Sequence, residues 1–77
     1  MKNTERQVFE PAYRLVKYFG TQKKVGSALN VEQGTVSGWL RGTHGISSLN
    51  AQKAEKLTNG EVKAYELCPA LIELEDI

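Results

Sequence analysis

From Pro11 the chain reads PAYRLVKYFG, and Ala12, Leu15, Val16 and Phe19 recur three and four residues apart. That is the period of a helix buried along one side. Proline suits the first helical position, where its missing N–H costs nothing, and Gly20 ends the run. Thr21 is a good N-cap residue, and Val25, Ala28 and Leu29 form the next apolar stripe. Asn30 follows, a residue type that accepts the left-handed backbone conformation. A third helix is predicted over about Gln33 to Arg41, with Val36, Trp39 and Leu40 inward and Gly42 at its C-terminal end. Ser47 caps a fourth, about Ser48 to Thr58, whose inner face is expected to comprise Leu49 or Ala51, then Ala54 and Leu57. Ile46 and Ala51 stand at the spacing of a hydrophobic staple. Asn59 and Gly60 stop that helix, and one short turn around Ala64 to Leu67 precedes Pro69.

The pattern predicts an all-α domain, a compact bundle of four to five helices over residues 10–71. Residues 1–9 read as an N-terminal arm, with Thr4 and Gln7 at capping-box spacing. Residues 72–77, IELEDI, read as an acidic C-terminal tail, either a strand or a disordered end.

Three glycines complicate this picture. Gly26, Gly34 and Gly38 fall inside predicted helices, where each costs about 1 kcal/mol relative to alanine. Two short helices joined by about three residues and packed near a right angle make a helix-turn-helix. That unit needs a small residue where the helices cross, and Gly26 is in the right place. It needs a left-handed residue in the turn, Asn30, an apolar plug after it, Val31, and an inward pair on the second helix, Val36 and Trp39. All occur in register.

In QKKVGSALNVEQGTVSGWLRG the chain resembles the helix-turn-helix of Cro/CI-type phage repressors. LTNGEVKAYELCPAL is similar to the end of the YdaS and Cro-like group of small prophage regulators, through Asn59, Gly60, Val62, Glu66, Leu67, Pro69 and Leu71. The resemblance covers roughly Pro11 to Leu71. It implies a fold of the lambda-repressor type and a protein that binds double-stranded operator DNA, usually as a homodimer, and represses transcription. It also implies an alternative, an antitoxin that binds a toxin protein and represses its own promoter. The chain departs from the pattern at Asn30, usually Gly, at Gly26, usually Ala, and at Glu32, where Ser or Thr normally caps the recognition helix.

A third helix lying in a major groove would expose Glu32, Gln33, Gly34, Ser37, Gly38 and Arg41 to the bases. Gln can pair with adenine and Arg with guanine, Ser serves either, and Glu accepts from cytosine. Gly34 and Gly38 would let the backbone lie close to DNA. Phosphate contacts are expected from Thr21, Gln22, Lys23 and Lys24 around the second helix's N-terminus, which attracts anions, and from Thr35. His44, alone in the following loop, reads as plain surface, and Trp39 as core. Candidates for a dimer surface are the tail with Leu71, Ile72, Leu74 and Ile77, the arm with Val8 and Phe9, and the region of Tyr65.

Charge sharpens this reading. The chain carries a net charge of only +1. Up to His44, however, seven Lys and Arg face three acids, and after it three face six. A basic first half suits a polyanion. The single cysteine, Cys68, permits no intrachain disulfide and fits a reducing cytoplasm. No signal peptide is read at the N-terminus, and no apolar run approaches the roughly 20 residues of a membrane span. One His and one Cys, 24 residues apart, form no catalytic arrangement, and the glycines form no phosphate-loop fingerprint. The expectation is therefore a protein that is not an enzyme and holds no metal or cofactor. A module that only contacts proteins is the remaining alternative.

Overall fold

A computed structural model describes residues 8–72. The expected cap at Thr4 and Gln7, the charges of Lys2 and Arg6, and the tail residues Leu74 and Ile77 lie outside the described residues. Within them five helices are bounded at both ends, in order: α1 (Glu10–Phe19), α2 (Gln22–Leu29), α3 (Gln33–Arg41), α4 (Ser48–Leu57) and α5 (Ala64–Leu67). Among the described residues there is no strand. The fold is the expected all-helical bundle with a helix-turn-helix at α2 and α3.

The core is built from the predicted stripes. Leu15 of α1, Val25 and Leu29 of α2, and Val36 and Trp39 of α3 meet Ile46, Ala51, Ala54, Val62 and Leu67 in one buried cluster. Val31, the plug of the turn, packs against its edge. Phe9 does so too, and its N–H donates to the Leu40 carbonyl at 2.9 Å. That bond ties the chain entering α1 to the end of α3.

The turn between α2 and α3 has the predicted construction. Asn30 lies in the left-handed region at φ 61, ψ 47, and the next N–H, of Val31, returns to the Gly26 carbonyl at 2.8 Å. A Cβ on Gly26 would stand 2.6 Å from the Val31 carbonyl oxygen, closer than any side chain can lie, so glycine is what lets the turn fold back on α2. From α4, the Lys53 ammonium donates to the Leu29 carbonyl at 3.2 Å. One of the open carbonyls that every helix end leaves is thereby satisfied.

The inner face of α4 differs from expectation. Ala51 and Ala54 are fully buried, but Leu49 is 67% and Leu57 47% exposed. Thr58, the C-cap of α4, is the residue that turns inward and is 2% exposed. Its hydroxyl donates to the Ala54 carbonyl at 2.9 Å and accepts from the Val62 N–H at 3.2 Å. A threonine can thus end a helix inside the core, because its hydroxyl bonds back to the preceding turn. The start of the four-residue α5 is held from both sides: Glu55 of α4 accepts from the Ala64 N–H at 2.7 Å, and Glu66 of α5 itself accepts from the Lys63 N–H at 3.0 Å.

Candidate nucleic-acid interface

The turn at Asn30 presents α3 with one side to the core and the other to solvent. Val36, Trp39 and Leu40 are inward. Glu32, Gln33, Gly34 and Arg41 are exposed, while Ser37 and Thr35 are half-buried. Gln33, Ser37 and Arg41 share a face by their spacing of four. On that face the Arg41 guanidinium donates to Ser37 Oγ at 2.6 Å, which fixes both side chains over the outer surface of the helix.

Glu32 occupies the N-cap of α3 without giving its side chain to the cap. Its carboxylate therefore stays at the exposed start of the helix. Thr21, by contrast, caps α2, its Oγ accepting from the Lys24 N–H at 3.1 Å. The hydroxyl proton remains for an outside acceptor. Lys23 and Lys24 are exposed beside it and Gln22 is half-buried. Lys23 also lines an open cleft of about 450 Å³ between the two helices, with Ser27, Asn30, Glu32 and Gln33. The fold thus brings a candidate phosphate-binding lysine to the same concavity as the candidate base readers. Ser27, which the sequence reading does not single out, and Asn30, read there only as the turn residue, are further polar lining residues.

Gly34 is bare, with nothing within 4 Å of where a Cβ would be. Gly38 is not, contrary to the expectation that it lies open to a ligand. It is buried beneath the His44 ring, which a Cβ at position 38 would overlap. Pairing of a helix glycine with a side chain six residues on, across a loop, leaves no trace in hydrophobic periodicity. Of the basic residues in the first half, Arg14 lies elsewhere, engaged with Glu10 and Glu66.

Among the described residues no group of three or more His, Cys, Asp or Glu is placed to hold a metal ion. No helix there is long and apolar enough to cross a membrane.

Comparison with known proteins points the same way as the helix-turn-helix. The family model described as bacterial toxin YdaS matches residues 13–73. A curated relative, the regulatory protein cro of Pseudomonas phage D3, is 52% identical over 56 residues, covering 73% of this chain and 77% of the relative. No solved structure matches.

Proposed function

Given that the chain belongs to the bacterial toxin YdaS family and is similar to a phage cro protein, we propose that it is a sequence-specific DNA-binding repressor. The observation that carries this reading is the outer face of α3. Gln33 and Arg41 are exposed on one side of a helix whose other side is core, and Arg41 is held to Ser37. In a major groove, Gln33 takes adenine and Arg41 guanine, Ser37 serves either base, and Glu32 accepts from cytosine. Gly34 lets the backbone approach there. Thr21, Gln22, Lys23, Lys24 and Thr35 contact phosphates, fixing register without reading sequence.

A single module of this kind buries roughly 600 to 1,000 Å² on DNA. Two copies on half-sites about 34 Å apart multiply the affinity. Repression then follows from occupancy: a homodimer on an operator that overlaps a promoter excludes polymerase.

The family's description as a bacterial toxin supports a second reading, membership of a toxin–antitoxin pair. As an antitoxin the chain would bind a toxin protein as well as its own promoter, and that protein would co-purify with it.

The test is selection of duplexes from a randomised DNA pool by the purified protein, followed by binding in a salt series. The reading expects an enriched motif with dyad symmetry and affinity falling steeply from low to moderate salt. An unenriched pool, with no retention on DNA at low salt, would leave only a protein-contact module.

A further inference from the structure

Gly38 lies four residues after Gly34 and three before Arg41, so it shares the solvent side of α3 with two exposed residues. Yet Gly38 is buried. What covers it is not the core but His44, itself exposed. The ring presents Cδ2 and Nε2 to the place a Cβ would take, with Cγ 3.1 Å from that place. Nδ1 is not among the three atoms nearest that place.

The loop that carries His44 is lashed down at the same point. Gly42 turns the chain at φ 77. The Gly38 carbonyl then accepts from the Thr43 N–H at 2.9 Å, the Thr43 hydroxyl at 3.3 Å and the His44 N–H at 3.4 Å. A glycine that costs the helix about 1 kcal/mol therefore makes a notch, and three hydrogen bonds hold the loop that lays an imidazole over it.

We propose that His44 is a DNA-contacting residue, standing in for the missing side chain at position 38 and donating a hydrogen bond to the sugar–phosphate backbone beside Arg41. The proposal rests on the reading of α3 as the helix that enters the groove. Base edges are met by the N-terminal part of such a helix, toward which the Arg41 side chain folds back to reach Ser37. A group clamped over its C-terminal half meets the wall of the groove, where the acceptors are phosphate oxygens. A neutral or charged imidazole can donate there, and a contact of that kind positions the protein without reading bases. Gly38 and His44 then act as one unit, with the glycine supplying the seat and the histidine the donor.

The test uses the duplex that the wild-type protein selects from a randomised pool, together with an unrelated duplex. His44→Ala is expected to lower affinity about tenfold on both, the effect of one hydrogen bond to a charged group. His44→Gln, which keeps an N–H donor, should recover part of the loss. Gly38→Ala pushes the ring out of its notch and should cost as much as His44→Ala, while the double variant should bind no worse than either. Unchanged affinity in His44→Ala, with the melting temperature also unchanged, would overturn the proposal. So would a further loss on adding Gly38→Ala to His44→Ala, since the DNA would then require the bare glycine. If Gly38→Ala does not fold, His44→Ala and His44→Gln decide alone. Failure of the wild type to select any duplex would instead remove the reading of α3 beneath it, and the proposal with it.

Discussion

Arg14 of α1 and Glu66 of α5 meet at 2.8 Å, joining those two helices across the bundle. The same guanidinium reaches Glu10 at 3.2 Å. Glu66 also accepts the Lys63 N–H. That backbone bond first, and Arg14 after it, hold the Glu66 carboxyl below its ordinary value of 4.5. A carboxyl lowered by folding adds stability at pH values above its unfolded value, and that contribution fades as pH falls through the lowered folded value. Stability should thus be level near neutrality and decline below pH about 4.5. In Glu66→Gln the amide oxygen still accepts at the cap, but the charge is gone. Denaturant unfolding should show a loss under about 1 kcal/mol at pH 7, as for other partly exposed pairs, and a shallower acid limb. An acid limb identical to that of the wild type would place the titrating group elsewhere.

The turn makes a prediction about stability without DNA. Asn30 is exposed, so replacing it removes no packing. Left-handed backbone costs most residues about 1–2 kcal/mol, and glycine and asparagine less. Asn30→Ala should lower unfolding free energy by about 1 kcal/mol, and Asn30→Gly should leave it level or raise it. Gly26→Ala must move the Val31 carbonyl and should cost about 1–3 kcal/mol despite alanine's better helix propensity. Gly26→Val should not fold. Thermal denaturation by circular dichroism orders all four.

Thr58 is the buried polar group whose removal should be felt. Thr58→Val keeps the volume but leaves the Val62 N–H without its 3.2 Å partner. An orphaned buried donor costs about 1–3 kcal/mol. Thr58→Ser, which keeps the hydroxyl, should lose less. Equal stability of the Val and Ser variants would mean that water replaces the hydroxyl.

On DNA, the two kinds of candidate contact should separate. Gln33→Ala and Arg41→Ala should each cost about 1–3 kcal/mol on the selected duplex and relax preference at one base pair. Lys23→Ala should weaken selected and unrelated duplexes alike and reduce the slope of log affinity against log salt by about 1. Competition binding with single-base variants of the duplex checks both.

Much of this architecture is legible in the residues alone. Gln33 to Arg41 could be bounded because a buried stripe runs between a left-handed asparagine and a glycine, and both ends have local chemical causes. The same holds for Thr21, whose hydroxyl caps α2 as its residue type predicts. What local pattern misses is decided between distant residues. Leu57 fits the stripe of α4, yet Thr58 takes the inner position because its hydroxyl can serve both Ala54 and Val62. Gly38 was visible as an odd glycine. Its reason is His44, which a loop folds back onto the helix, and no spacing rule connects the two. Nor does any local pattern connect Lys53 with the Leu29 carbonyl at the end of α2, which it braces only once the fold brings them together.

The most direct test of α3 as the DNA-binding surface is an amide chemical-shift titration of the ¹⁵N-labelled protein with the selected duplex. The largest changes should fall on Gln33, Gly34, Ser37 and Arg41, with a second group at Thr21 to Lys24. Changes centred on α4, around Leu49 and Leu57, with α3 unperturbed, would contradict it.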